Sequence, residues 1–336
     1  MSRRRKLVLG ALASVGLLAV LALLYTGLSR LERRLDTVPE GAGQAVTRQA
    51  NLEAKHPSIY YNGEKYIYRE RLETLLILGI DDVERTESAS YRNFSQADLI
   101  VLAVFDPSDK TCTLLQLNRD TMTEVQALDS FGNVIGLERE QLALAHTYGN
   151  GLEPSCENTV DAVSRFLYGV QIDNYVALTM DAIPVLNDLV GGVTVRVEDD
   201  FSAVTDSLPM GETVLLTSEN VETFVRARSS MPEPTNVNRM KRQRVYMTAF
   251  VDALRETMAK NGSFVFDAYA SVSNSMVSDC SVYDLDDYAK RFSGFLLTDI
   301  RTPEGEVKEG REFLEFHANE ESLQKLVLEL FYQKVS

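Results

Sequence analysis

The chain has 336 residues, a hydrophobic content of 45% and a formal net charge of −15, enough length to bury one large core or two small ones. A body this acidic is repelled by nucleic acid and by anionic lipid headgroups, which excludes a direct nucleic-acid binder and means that any anion is held by a local site. Three scattered histidines (His56, His146, His317) offer no zinc spacing, and three widely spaced cysteines make no disulfide framework. Cys112 reads as a buried small hydrophobe, while Cys156 and Cys280 stand open as a pair or as two free thiols.

Residues 1–6 read MSRRRK, and Leu7–Leu28 follows without a charged side chain. Such a run, helical at about 1.5 Å per residue, reaches roughly 33 Å and crosses a hydrocarbon core of about 30 Å. A cleaved signal peptide would carry a shorter apolar stretch and a small-residue cleavage site, whereas this run passes through bulky Leu23, Leu24 and Tyr25. The pattern predicts a single-pass transmembrane helix over 7–28. The basic cluster before it puts residues 1–6 in the cytoplasm and the main domain outside the cell. Residues 29–55 show no sustained period and read as a juxtamembrane stalk.

From residue 56 the chain alternates strands and helices. "IYYNGEKYIY" (59–68) flanks Asn62-Gly63 with aromatic arms, a hairpin signal. "LLILGI" (75–80) and "LIVLAVF" (99–105) are continuous apolar runs, the pattern of strands buried on both faces. "TCTLLQL" (111–117) follows the turn "DPSDK" and makes a second hairpin with the strand before it. A helix is expected over 156–168, capped by Ser155 and ended by Gly169. Then come the strand "YVALTM" (175–180), a helix capped by Asp181 and running to Val190, stopped by Gly191-Gly192, and the strand "VTVRV" (193–197). Ser218 caps a helix over 219–228, and a long helix runs from Val237 to Lys260. Residues 263–336 read as a mostly helical C-terminal extension packed on the domain at 56–262, with Leu323, Leu326, Val327 and Leu330 forming a stripe. The expected fold class is α/β, a mixed central sheet covered by helices in α-β-α layers.

Against this acidic background "NRMKRQR" (238–244) concentrates four basic side chains. Arg239, Arg242 and Gln243 sit at i, i+3 and i+4 and share a face with Met247, Phe250, Val251, Leu254 and Met258 further along the helix. A solvated charge run lies opposite an apolar stripe, so these three are expected to point into a cleft, with Lys241 and Arg244 on the surface. Arg226 and Arg228 end a helix in "VRAR", and Arg119 ends a strand in "LNRDT", where ligand crevices form in α/β sheets. Planar guanidiniums match phosphate oxygens bidentately, so converging arginines point to a pyrophosphate. Asp81 closes one strand, Asp98 opens another and Asp120 follows Arg119. Each alone reads equally as a turn residue. Together they suit Mg2+ (or Mn2+), a hard ion that takes a few carboxylates plus phosphate oxygens and water.

Gly79-Ile80-Asp81, Asp98, Arg119-Asp120-Thr121, Tyr148-Gly149, Val190-Gly191-Gly192-Val193, Val225-Arg226-Ala227-Arg228 and Arg239 with Arg242-Gln243 come in an order that resembles the LytR-CpsA-Psr family over residues 72–260. The resemblance implies a membrane-anchored extracellular phosphotransferase that moves a glycopolymer, such as teichoic acid or capsule, from a polyprenyl-diphosphate lipid onto peptidoglycan. It implies Asp81 and Asp98 as metal ligands. Arg119, Arg226, Arg228, Arg239, Arg242 and Gln243 become the pyrophosphate set, and Arg119, Asp120, Arg226 and Arg228 act in catalysis. A non-catalytic polyprenyl-phosphate or cell-wall binder, and a lipid pyrophosphatase, are the alternatives. Three stretches depart from the family's usual residues. Gln96-Ala97 stands for Arg-Ser before Asp98, Gln141-Leu142-Ala143 for Lys-Ile-Asn, and Asn236 for an Asp.

Overall fold

The computed structural model describes residues 58–81, 92–228, 235–311 and 313–335, so the expected membrane helix and stalk lie outside the described residues. No helix among the described residues is long and apolar enough to cross a membrane. The chain divides at Ile59/Tyr60, and the unit Tyr60–Ser336 carries the central sheet and its helices.

The hairpin β1 (Ile59–Tyr61) and β2 (Glu64–Tyr68) turns at Asn62-Gly63, both with positive φ. The apolar runs then build the central sheet: β3 (Glu73–Ile80), β4 (Ala97–Asp106) and β5 (Thr111–Leu117) pair antiparallel in sequence. Alternation along β4 gives both faces a core. Ile100, Leu102 and Val104 join one hydrophobic cluster, and Val101 and Ala103 join another. The first face is covered by α1 (Glu153–Phe166) and by the C-terminal helix, through Cys156, Ala162, Val163, Leu323, Leu326 and Phe331. β8 (Asn174–Thr179) lies parallel to β3, so the sheet is mixed as expected.

Several local features differ from the sequence reading. β6 (Met122–Leu128) and β7 (Val134–Gln141) form a two-stranded ribbon that no period announces, because six consecutive residues of β7 are exposed. α1 begins at Glu153, with a proline in its first turn. Ser155 is therefore no cap. Its buried Oγ accepts the Gly151 N–H at 2.8 Å and an Asn93 Nδ2–H at 3.1 Å. After α2 (Ala182–Leu189), the strand β9 (Val193–Arg196) pairs only with β10 (Thr213–Leu216), outside the central sheet. These strands, α3 (Val221–Arg226) and α4 (Asn236–Lys260) enclose a second core around Phe201, Leu216 and Phe224.

The segment from 263 onward is not mostly helical. It holds α5 (Phe264–Val272), β11 (Met276–Ser278), α6 (Val282–Phe292), β12 (Leu296–Arg301), β13 (Gly305–Glu309), β14 (Leu314–Ala318), α7 (Glu320–Phe331) and β15 (Tyr332–Lys334). β11 and β12 close the two edges of the central sheet, in the order β11-β8-β3-β4-β5-β12. β11 has only three residues and β12 shows no alternation of burial, so neither announces itself by period.

All three cysteines are free and buried. His146 is buried beside Cys156, its Nδ1 2.9 Å from the Ser95 carbonyl and its Nε2 3.9 Å from the Cys156 sulfur. Burial lowers the imidazole to about 4 and raises the neighbouring thiol to about 12, so the native pair is neutral. The unfolded imidazole takes its proton near pH 6.5, above the native value, so stability is full above pH 6.5 and is lost as pH falls toward 4. We expect His146 to cost about 2 kcal/mol between pH 7 and pH 4.5. The difference between wild-type and His146→Gln unfolding free energies at several pH values measures it, and a difference independent of pH would refute it.

Candidate functional site: an arginine and carboxylate cluster at the strand ends

Asp81 and Asp98 are brought together by register. β3 and β4 pair Ile80 with Ala97 across a shift at Gly79, and the Asp81 N–H donates to the Gln96 carbonyl at 2.9 Å. Gly79 permits this approach, since a Cβ there would lie 2.9 Å from the Leu99 Cβ. Asp98 is buried and sits between two guanidiniums. Its Oδ1 meets Arg119, and its Oδ2 accepts from Arg239 at 3.1 Å. Arg119 also reaches the Gln96 amide oxygen, and its Nε lies 3.4 Å from Asp120.

Arg239 comes from the first turns of α4, which Thr235 caps by accepting the Asn238 N–H. Its Nε and second terminal nitrogen donate to Asn236 Oδ1 at 3.0 and 2.7 Å, and Asn236 in turn donates to Asn118 Oδ1 at 2.6 Å. The Asp120 N–H donates to that same Asn118 oxygen. One hydrogen-bonded chain thus runs from the helix through two asparagines to the strand end. Burial lowers the Arg239 and Arg119 guanidiniums to about 10, which leaves both cationic at neutral pH. Burial raises the Asp120 carboxyl, against the opposing pull of Arg119, Arg228 and Arg239.

The expected face of α4 is buried, but at its polar end. Asn236, Arg239, Met240, Arg242 and Gln243 are its buried residues, whereas Phe250, Leu254 and Met258 pack only partly buried against the second core. Arg242 does not open into the cleft. Its three nitrogens donate to the Phe224 carbonyl (3.0 Å), to Asp199 (2.7 Å) and to the Ala227 carbonyl. Gln243 likewise takes a hydrogen bond from Gln116 and donates to the Val225 carbonyl. Both residues brace the backbone that carries Arg226 and Arg228. Lys241 is exposed as expected. Arg244, expected on the surface, is half-buried and donates to Thr302 Oγ1 at 3.2 Å.

Arg226 pairs with Asp81 at 2.7 Å and with Glu222 at 2.5 Å. Arg228 is exposed, with no hydrogen bond or ion pair among the described residues, and its charge acts on Arg119, Asp120 and Arg239. The structure therefore gathers Asp81, Asp98, Arg119, Asp120, Arg226, Arg228 and Arg239, and sets Arg242 and Gln243 behind them. Gln96, Asn118 and Asp199 also contact this cluster, and no motif in the sequence marks them as site residues. An asparagine next to a strand-end arginine was the available signal for Asn118.

Among known proteins, the polyisoprenyl-teichoic acid–peptidoglycan teichoic acid transferase TagU of Enterococcus faecalis is 25% identical over 302 residues, 88% of this chain and 84% of that protein. The protein of that name from Halalkalibacterium halodurans is 28% identical over 155 residues, a match spanning 46% of this chain and 44% of the relative. In fold, the crystal structure of Bacillus subtilis TagV superposes with a TM-score of 0.60 at 21% identity, covering 78% of this chain and 96% of that one. The family model described as LytR_cpsA_psr matches residues 37–329, and the chain belongs to that family.

Proposed function

We propose that this protein is a Mg2+-dependent (or Mn2+-dependent) phosphotransferase, anchored in the cell membrane by residues 7–28 with its main domain outside, that moves a glycopolymer from a polyprenyl-diphosphate lipid onto peptidoglycan. The observation that carries the reading is the pairing of Arg119 and Arg239 on buried Asp98, with Arg226 and Arg228 facing the same strand ends. The teichoic acid transferase named among its relatives supports the polymer class and the acceptor.

In this reading Arg228 meets the diphosphate first, as an exposed planar donor. Arg226 exchanges a carboxylate partner for a phosphate oxygen. Arg119 and Arg239 hold Asp98 and set the cationic floor on which charge builds as the polyprenyl phosphate departs. Asp120, its affinity for a proton raised by burial, is suited to accept the proton of the attacking peptidoglycan hydroxyl. The hydroxyl oxygen forms the new P–O bond to the polymer's phosphate, and the bond to the polyprenyl phosphate breaks.

Asp81 and Asp98 fit a hard divalent cation. Asp81, 40% exposed, presents its carboxylate at the strand end, while both Asp98 oxygens face the Arg119 and Arg239 guanidiniums, so Asp98 would reach a cation only by exchanging one of them. Among the described residues no three His, Cys, Asp or Glu side chains cluster closely enough to hold a metal, so the remaining ligands would be phosphate oxygens and water. When bound, the ion supplies Lewis-acid charge to the diphosphate.

EDTA does not cross membranes. Added outside spheroplasts, it is expected to stop transfer, and Mg2+ to restore it. Asp81→Ala should lower turnover on the order of 10²-fold, a loss of about 3 kcal/mol in charge stabilisation. Full transfer by purified protein in excess EDTA would contradict the metal. Loss with purified protein but not with spheroplasts would contradict the topology.

A further inference from the structure

The turn that carries Arg119 and Asp120 is held from outside by N–H groups that donate to three of its carbonyls in a row. Arg119 O accepts the Ala143 N–H at 2.9 Å, and Thr121 O accepts the Leu142 N–H at 2.8 Å. Both donors belong to the 3-10 turn Leu142–Thr147, next in the fold after β7. Asp120 O is different. It accepts the Phe316 N–H at 2.8 Å, a residue 196 positions further along the chain.

Phe316 lies at the centre of β14. All five residues of β13 are exposed, and Phe316 is the single buried residue of β14. A hairpin that contributes one side chain to the interior is thus anchored through the residue whose N–H grips the site turn. Other contacts fix it there. Phe316 bridges Thr121 in parallel, and Gln141 Nε2 donates to the Leu314 carbonyl at 2.7 Å. The ring fits over Gly305, where a Cβ would lie 2.6 Å from the Phe316 Cζ and 2.4 Å from the His317 carbonyl oxygen. Backbone cannot yield to that contact as a flexible side chain would, so any side chain at 305 displaces β14.

We infer that Phe316 is a positioning residue for Arg119 and Asp120, acting through the β13–β14 hairpin. The inference rests on the phosphotransferase reading for its effect on turnover, and on geometry alone for its effect on the turn. The ring keeps β14 seated. The Phe316 N–H then fixes the peptide plane after Asp120, and with it the direction in which the Asp120 carboxyl and the Arg119 guanidinium face the substrate. Small misplacements of reacting groups are costly even when the change is remote.

The test uses the full-length protein and three variants, Phe316→Ala, Gly305→Ala and Phe316→Leu. Phe316→Ala and Gly305→Ala are expected to lower kcat about tenfold while the donor KM stays within about twofold, and Phe316→Leu to recover most of the loss. The acid limb of the pH–rate profile should move to lower pH in the first two variants, because a loosened turn lets water reach Asp120 while Arg119, Arg228 and Arg239 still surround it. Amide exchange, measured without substrate, should accelerate at Asp120, Thr121 and Phe316 and stay unchanged in β4. Wild-type kcat in Phe316→Ala and Gly305→Ala, or unchanged exchange at Asp120 and Thr121, would overturn the inference. So would exchange that accelerates across the whole central sheet, which would make Phe316 a general fold residue. If the wild type itself transfers nothing, the phosphotransferase reading fails, and the exchange measurement still decides whether the hairpin holds the turn.

Discussion

Arg239→Ala is expected to reduce turnover on the order of 10³-fold, the largest loss of any single substitution in the cluster. The side chain is 6% exposed, and it binds Asp98 on one side and Asn236 on the other. Truncating one partner of a buried, hydrogen-bonded charge pair costs about 2–5 kcal/mol, much of it from the charge left behind. Here Asp98 would keep Arg119 alone, and Asn236 would lose both of the donors that Arg239 gives it. The unfolding free energy should fall by about 3 kcal/mol as well. Arg239→Lys should recover only part of both losses, since one ammonium cannot reach Asp98 and Asn236 with the fork that spans them. Steady-state turnover and chemical unfolding of the three proteins measure this. Near-wild-type turnover in Arg239→Ala would remove the residue from the site.

Arg242→Ala should be nearly as damaging, for a different reason. Its guanidinium donates to the carbonyls of Phe224 and Ala227 and to Asp199, and it lies 5.5 Å from the Phe201 ring. Removal strands the buried Phe224 carbonyl and the part-buried Ala227 carbonyl at the end of α3, the stretch that aims Arg226 and Arg228. The expected cost is about 3 kcal/mol of stability together with a loss in turnover on the order of 10²-fold. Donor affinity and turnover should fall together, because the substrate's own contacts on Arg226 and Arg228 are misdirected. Lys241→Ala, one residue earlier and exposed, is the matched control and should change neither. Equal small effects at Arg239, Arg242 and Lys241 would mean that the basic residues at the helix start take no part in turnover.

The two arginines show how far the sequence could be read. Their i, i+3 spacing placed both on the buried face of α4, and burial followed. Helical phase cannot say what a buried guanidinium meets. Arg239 faces the strand ends, whereas Arg242 is taken up by a chain segment 15 to 18 residues earlier. The strands of the central sheet were legible because continuous apolar runs such as "LIVLAVF" feed two cores at once. β11 and β12 were not, since each is short and holds its place through edge pairing with distant strands. Phe316 lay beyond reach for the same reason. A contact across 196 residues leaves no local period.

The departures from the family's residues also take on a physical meaning. Gln96 stands where an arginine is usual and Asn236 where an aspartate is usual, so one positive and one negative charge are both absent. Each replacement is an amide whose oxygen now accepts from a site arginine: Gln96 from Arg119, Asn236 from Arg239. The guanidiniums keep an acceptor, and the local charge balance is preserved. Gln141, the third departure, donates to the Leu314 carbonyl of the hairpin.

Transfer has to be told apart from binding or hydrolysis of the same lipid. The direct measurement supplies the full-length protein in vesicles with a polyprenyl-diphosphate-linked glycopolymer, Mg2+ and peptidoglycan, and follows both products. A phosphotransferase yields polymer joined covalently to peptidoglycan and free polyprenyl monophosphate in equal amounts, and both products should fall together in Arg228→Ala. Donor bound without either product, or polyprenyl phosphate released with no polymer on the peptidoglycan, would contradict the assignment.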